Sequence, residues 1–244
     1  MKLARFRIEG ERGPLSGEVI GDSVQTDEGS FSLSEVDLLP PVTPSKIVCV
    51  GLNYKDHIEE TGANLPENPS LFFKPPTSVV GNDDPIEIDS GHRFDPEGEV
   101  GVVIGRECRR VRQSEVQDCI WGYTGLNDVT NRDAQEWEQN WIRAKGFDTA
   151  APVGPYLVTN DQLELPIGFE LKVNGEVRQS SDTSQLIFGI PDLIVEISSF
   201  MTLNRGDIIS TGTPSGVAPI HGGDVVELEI EGVGTLRNAV REVA

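Results

Sequence analysis

The stretch Asp95-Pro96-Glu97-Gly98-Glu99-Val100-Gly101-Val102-Val103-Ile104-Gly105 sets two glutamates at the head of an apolar run. The run is rich in valine and isoleucine and stops at glycine, which is the pattern of a buried strand. Residues two apart on a strand share a face, so Glu97 and Glu99 are expected side by side at its mouth. Paired carboxylates repel; either one takes up a proton or a cation stands between them. A hard divalent cation suits oxygen donors, and Mg²⁺ uses one or two carboxylates while keeping positions open for substrate oxygens. Two exposed glutamates in a very acidic chain would give the same pattern, so the pair alone leaves both readings open.

Upstream, residues 47–51 (Ile-Val-Cys-Val-Gly) read as a short buried strand. Asn53 is expected to cap a following helix that carries His57 and Glu60, neighbours at i, i+3. A carboxylate beside an imidazole fixes its tautomer and raises its basicity, as a general base requires; an exposed surface pair is the alternative. Leu71-Phe72-Phe73 reads as a strand stopped by Pro75-Pro76, with Lys74 at its end taken as a surface lysine. Residues 1 to about 40 are expected to be strand-poor, with an edge strand over 4–9 and a hairpin around Gly21-Asp22. The proline-rich stretch 39–44 reads as an extended linker, which divides the chain into a small N-terminal subdomain, 1–41, and a catalytic domain, 42–244.

Downstream, residues 120–126 form a second apolar strand running into Asn127-Asp128. Asp128, at a strand end, is a third candidate ligand or else an Asx turn. Trp137 and Trp141 are expected on one helix face, packed in the core. Lys145, beside a glycine, reads by itself as solvent-exposed. From 163 onward the pattern is β, with a hairpin at Asn174-Gly175 and an amphipathic helix over 190–200 that starts at Pro191-Asp192. A strand over 207–210 enters Thr211-Gly212-Thr213-Pro214-Ser215-Gly216, whose glycines and hydroxyls can turn backbone N–H groups toward an anion. It lacks the Gly-Lys-Ser/Thr ending of a phosphate loop. The alternation over 223–230 is expected to close the sheet.

The chain has 244 residues, 37 % of them hydrophobic, enough for a sizeable core. Its formal net charge of -20 argues against nucleic acid or an anionic membrane as partner, since both need a basic surface. No apolar run approaches the ~20 residues that span a bilayer, and the start lacks the apolar centre of a signal peptide. A cytoplasmic protein is expected, with Cys49, Cys108 and Cys119 as reduced structural thiols. The charge, spread along the chain, points to a salt-adapted, halophilic cytoplasm in which repulsion is screened.

Several motifs, in this order, resemble the fumarylacetoacetate hydrolase family from about Pro44 to the C-terminus. They are Gly51-Leu52-Asn53-Tyr54 with Asp56-His57, Phe73-Lys74-Pro75, Glu97-Gly98-Glu99 and Asn127-Asp128-Val129-Thr130 with Arg132-Asp133. Lys145-Gly146-Phe147-Asp148, Val173-Asn174-Gly175-Glu176 and Gly206-Asp207 with Thr211-Gly212-Thr213-Pro214 follow. Asn131 stands where alanine is more usual. The chain looks most like the short members, acylpyruvases and oxaloacetate decarboxylases. The resemblance implies a mainly β (α+β) fold, a mixed β-sandwich roll, assembled as a homodimer. It places Mg²⁺ or Mn²⁺ on Glu97, Glu99 and Asp128, and the catalytic groups on His57, Glu60 and Lys145. Arg132, Gln135, Gly212 and Thr213 fall on substrate-binding positions. The implied reaction is C–C cleavage of a small 2-oxo, acylpyruvate-type acid through an enolate, with His57 activating water. Decarboxylation, isomerisation or tautomerisation of an oxaloacetate- or 2-hydroxymuconate-type dicarboxylate needs the same site, and a non-catalytic metal-binding protein is the reading from another class. Substrate specificity is expected in the segments 61–68 and 136–143.

Overall fold

The computed structural model describes every residue except Glu9, Glu11, Arg12, Ala63 and Ala244. The chain opens with five short strands, β1 (Lys2–Arg7), β2 (Leu15–Ile20), β3 (Ser23–Thr26), β4 (Gly29–Ser32) and β5 (Asp37–Leu39). The beginning is therefore strand-rich rather than strand-poor. Polar residues between the apolar ones hide strands this short from a sequence window. The turn at Gly21-Asp22 lies where expected, with Gly21 at φ 58°. The edge strand expected over 4–9 is instead an inner one, flanked by β2 and β5; of its residues, Glu9 lies outside those described.

The next strands are β6 (Ile47–Gly51), β7 (Ser70–Lys74), β8 (Val79–Val80), β9 (Ile86–Asp89), β10 (Phe94–Asp95) and β11 (Gly98–Ile104). They are followed by β12 (Ile120–Asn127), β13 (Thr130–Asn131), β14 (Ala151–Thr159), β15 (Gly168–Val173) and β16 (Glu176–Asp182). The last are β17 (Ile208–Ser210), β18 (Val225–Ile230) and β19 (Gly234–Val243). Helices are short: α1 (Lys55–Thr61), α2 (Arg132–Trp137), α3 (Ile142–Lys145) and α4 (Ile190–Phe200).

The fold is mainly β with mixed sheets. A twelve-stranded sheet runs β4-β3-β2-β1-β14-β12-β11-β17-β6-β7, with β5 on β1 and β8 on β14. A five-stranded sheet, β16-β15-β18-β19-β9, covers one face of its centre. β11 lies inside the large sheet, antiparallel to β12 and β17, and is buried along its whole length. Val100, Val102 and Ile104 pack in one cluster with Leu171, Leu228 and Ile230 of the smaller sheet, whereas Val103 joins Ile47, Val153 and Ile208 on the other face. This is the alternation of a strand covered on both sides. Gly98 lets the sheets meet, since a Cβ there would lie 2.9 Å from Leu228 Cδ1 and 3.1 Å from Leu171 Cβ.

Ala4, Phe6 and Val24 form a separate small cluster among the N-terminal strands, while β1 pairs with β14 and so continues the large sheet. α4 buries Ile190, Leu193, Ile194 and Ile197, the i, i+3, i+4, i+7 stripe, with Pro191 in its first turn. β18 does not close its sheet: β19 runs beside it and carries β9 on its other side. Among the described residues, no helix is long and apolar enough to cross a membrane.

Asp207 fastens β17 to the start of β6. It is buried and accepts from Ser45 N (3.0 Å), Ser45 Oγ (2.6 Å), Lys46 N (3.2 Å) and Asn204 N (2.8 Å), and it pairs with the Lys46 ammonium. Burial opposes its charge, but the donors from Lys46, Ser45 and Asn204 outweigh burial and hold the carboxyl below its ordinary value. A carboxyl depressed in the folded state adds stability that is fully present above its unfolded value, about 3.9, and is lost as pH falls through the lower folded one. Asp207→Asn is expected to cost about 2–3 kcal/mol at pH 7. It should also flatten the decline in unfolding midpoint below about pH 4, as read by urea melts across pH.

Candidate active site

The register of β11 against β12 builds the centre of the site. Gly98 stands opposite Asn127, so Glu97 and Asp128 flank the same end of the strand pair. Asp128 N donates to Glu97 O (2.8 Å), and Glu97 N donates to Asn127 Oδ1 (3.0 Å). Glu97, Glu99 and Asp128 are all buried, and one carboxylate oxygen from each lies within 4.8 Å of the others.

Cations surround this triad. The Lys145 ammonium, delivered by the last residue of α3, donates to Glu97 Oε2 (2.8 Å), Asp128 Oδ2 (2.8 Å) and Thr130 Oγ1 (2.6 Å). Arg132 Nη2 reaches Glu97 Oε1 (2.5 Å), its Nε reaches Asp95 Oδ2 (2.7 Å) and its Nη1 reaches Gln135 Oε1 (2.8 Å). Buried Asp95 is also held by Arg93. Lys74 is fully buried, with its Nζ 2.7 Å from Asp128 Oδ1. Its three protons are already committed to the carbonyls of Val129 (3.1 Å), Lys145 (2.8 Å) and Ala150 (2.8 Å). Asp128 Oδ1 therefore receives charge but no hydrogen bond.

Charge states follow from this packing. Burial opposes ionisation of Glu97, yet Lys145 and then Arg132 outweigh it and hold the carboxyl well below its usual range. Burial, with the Asp128 charge next, pushes Glu99 well above that range, against hydrogen bonds from Ser210 Oγ (2.5 Å) and Gly212 N (2.7 Å) to its Oε2. Burial would discharge Lys145, but Asp128 and Glu97 keep it cationic. A crowd of buried oxygens with one carboxylate resisting ionisation fits a hard divalent cation, and Asp128 Oδ1 is an acceptor without a proton partner. Glu97, Glu99 and Asp128 are the residues able to hold it.

His57 and Glu60 come together on α1, with His57 Nδ1 3.0 Å from Glu60 Oε2. Glu60 Oε1 accepts from Gly216 N (2.9 Å), and Asp56 Oδ2 accepts from Ser215 Oγ (2.8 Å), so the 211–216 loop is tied to this helix. A cavity of about 260 Å³ joins His57 to the triad, Lys145, Arg132, Gln135 and Thr213, with Phe72 and Trp141 among its apolar walls. A larger hollow of about 600 Å³, beside Phe94, Trp137 and Phe147, is lined by Glu87, Asp89 and Asp148 but by no member of the triad.

Several placements differ from expectation. Asn53 does not cap α1, whose N-cap is Tyr54; its side chain instead bridges Phe188 O (3.1 Å), Phe188 N (2.8 Å) and Thr211 O (2.7 Å). Lys74 and Lys145 are buried rather than exposed, because carboxylates and carbonyls replace water around both. Trp137 and Trp141 share no helix: Trp137 ends α2 and is 65 % exposed, whereas Trp141, at φ 55°, caps α3 and sets its ring edge-on to Phe72. The glycine-rich loop turns a backbone N–H toward a carboxyl group of the protein itself: Gly212 N donates to Glu99 Oε2. Of the two expected specificity segments, 136–143 supplies Trp141 to the cavity; Ala63 of the other lies outside the described residues. Sequence reasoning missed Asp95, Ser210 and Gln179. Gln179 carried no signal in the sequence; its burial on the otherwise largely exposed β16 shows only in the fold.

A mainly β fold thus brings a buried carboxylate triad, a charged lysine and a histidine–glutamate pair together around one cavity. Residues 46–241 match the family model described as fumarylacetoacetate (FAA) hydrolase C-terminal. The chain is 43 % identical to oxaloacetate tautomerase YisK of Bacillus subtilis, over 87 % of this chain and 76 % of that protein. It is similar to the structure of 5-carboxymethyl-2-hydroxymuconate delta-isomerase from Mycobacterium smegmatis, with TM-score 0.91, 40 % identity and both chains fully covered. It is also similar to maleylpyruvate hydrolase from Sphingobium sp. SYK-6 in complex with manganese (II) ion and pyruvate, with TM-score 0.85, 29 % identity and both chains fully covered. The chain is an enzyme of the fumarylacetoacetate hydrolase family.

Proposed function

We propose that this enzyme moves a proton at the carbon next to the ketone of a small 2-oxo dicarboxylic acid, interconverting keto and enol forms or double-bond isomers. The observation that carries this reading is one cavity of about 260 Å³ holding both an imidazole and the carboxylate triad. The similarity to an oxaloacetate tautomerase and a hydroxymuconate isomerase, at 43 % and 40 % identity, supports it.

A divalent cation, Mg²⁺ or Mn²⁺, held by Glu97, Glu99 and Asp128 would supply Lewis acidity toward the 2-oxo and carboxylate oxygens. Glu60 accepts the Nδ1 proton of His57, which leaves Nε2 as the basic lone pair that takes a proton from carbon and returns it. Lys145, kept cationic by its carboxylates, stabilises enolate charge. Arg132 has three of its five N–H donors engaged and can offer another to the substrate's distal carboxylate, beside Gln135 and Thr213. Phe72 and Trp141 limit water at the reacting carbon.

Hydrolytic C–C cleavage of an acylpyruvate is the second reading. It is favoured by the same His57–Glu60 pair, which can equally activate water, and by the likeness to maleylpyruvate hydrolase. Both readings include a homodimer in a salt-adapted cytoplasm and residues 1–41 as an accessory subdomain to 42–244. The test is NMR in D₂O with Mn²⁺ or Mg²⁺, using enol-oxaloacetate and an acylpyruvate. Fast deuteration at C3 with oxaloacetate intact supports the tautomerase. Pyruvate and a free acid released from the acylpyruvate, with no faster deuteration, would overturn it in favour of the hydrolase.

A further inference from the structure

Gly98 lies between the two glutamates of the triad, and both of its main-chain groups are held by side chains. Its N–H donates to Gln179 Oε1 (2.9 Å), and its carbonyl accepts from Thr213 Oγ1 (3.0 Å). Gln179 Nε2 then donates to Thr213 Oγ1 (2.8 Å) and to Pro214 O (2.9 Å). The partners fix the amide's orientation, because Gly98 N–H can only donate and Pro214 O can only accept. Gln179 is 1 % exposed on β16, an edge strand of the five-stranded sheet, and reaches from there into the large sheet.

The arrangement continues a ladder past its end. β17 pairs with β11 only from Gly101 to Val103. Beyond it, Thr211 N and Oγ1 both donate to Val100 O (3.3 and 2.9 Å), and Gln179 with Thr213 takes over at Gly98. One edge of the Glu97–Glu99 segment is thus held by β12 and the other by side chains. The Thr213 hydroxyl donates its proton to Gly98 O and accepts from Gln179 Nε2.

We propose that Gln179 is a positioning residue. Together with the Thr213 hydroxyl it fixes the two peptide groups of Gly98, between Glu97 and Glu99, and so sets the spacing of their carboxylates for a divalent cation. The proposal rests on the reading of Glu97, Glu99 and Asp128 as the cation-holding set. Partners that orient metal ligands typically matter by 10–100-fold in affinity.

The test is Mn²⁺ binding to the full chain by isothermal titration calorimetry. Gln179→Met keeps the side-chain length without the amide; Thr213→Val keeps the shape without the hydroxyl, and Thr213→Ser keeps the hydroxyl. Gln179→Met and Thr213→Val are each expected to raise the Kd for Mn²⁺ by about 10-fold or more, while Thr213→Ser stays near the parent value. The double variant should lose about as much as either single one, since both hold Gly98 and are hydrogen-bonded to each other. Asp207→Asn, destabilised at a site away from the triad, should bind Mn²⁺ as the parent does. A parent-like Kd in Gln179→Met, or an equal loss in Asp207→Asn, would overturn the proposal. If Gln179→Met does not fold, a parent-like Kd in Thr213→Val overturns it instead. A parent protein that binds no Mn²⁺ would remove the cation reading of the triad and this proposal with it.

Discussion

Asp128→Asn is expected to bind Mn²⁺ far more weakly and to lose essentially all turnover. Asn keeps the volume and one carbonyl-type oxygen, so Lys145 can retain a partner where alanine would strand two buried ammonium groups. What disappears is a full negative charge at the focus of Lys74 and Lys145. The loss in affinity should exceed the 10–100-fold typical of removing an outer partner, because Asp128 is a candidate direct ligand. The fold should weaken as well, since two buried cations lose part of their compensation. Calorimetry with Mn²⁺ and turnover at saturating metal measure the two effects. Parent-like turnover of Asp128→Asn after treatment with a chelator would refute the assignment of this residue.

Glu60→Gln is the second large effect, and it separates the possible chemistries. Glu60 joins two donors, His57 Nδ1 through Oε2 and Gly216 N through Oε1. A glutamine in its place keeps its oxygen for Gly216 and turns its NH₂ toward His57. The imidazole then accepts at Nδ1 and carries its proton on Nε2, which removes the lone pair proposed to act as the base. Proton transfer at carbon, and water attack if hydrolysis is the reaction, should fall by roughly 10²–10⁴-fold. Oxaloacetate decarboxylation, which needs the enolate-stabilising groups and no base, should fall far less, while Lys145→Met should harm every reaction that passes through an enolate. Equal losses of tautomerisation and decarboxylation in Glu60→Gln would show that the pair does not serve as the base.

The central strand was legible because valine and isoleucine declare a buried strand and Glu97 and Glu99 interrupt it at one end. α4 and the Asn174-Gly175 turn were legible for the same local reason: their signals lie within a few residues. The first forty residues were misread because strands of three to six residues gain most of their stability from partners elsewhere in the chain. Lys74 and Lys145 were misread in isolation because burial of an ammonium depends on acceptors far along the chain, such as Ala150 O for Lys74 and Glu97 for Lys145. Trp141 looked like a helix residue because its left-handed backbone leaves no mark in i, i+4 spacing. Gln179 gave no motif at all, since its three hydrogen bonds go to residues 34 to 81 positions away.

Lys74 has a further meaning once its four contacts are considered as a coordination shell. Three carbonyl oxygens and a carboxylate oxygen at 2.7–3.1 Å surround one positive charge, with no water-facing surface. That is the environment of a bound monovalent ion, except that this ion is tethered to β7 by its own side chain. A tethered ion cannot be diluted away, exchanged for a different cation or competed off. The framework under Asp128 therefore carries its counter-charge within the chain, where Asp128 holds the ammonium against the burial that disfavours it, while a surface contributing to a net charge of -20 draws its counter-ions from the surrounding electrolyte.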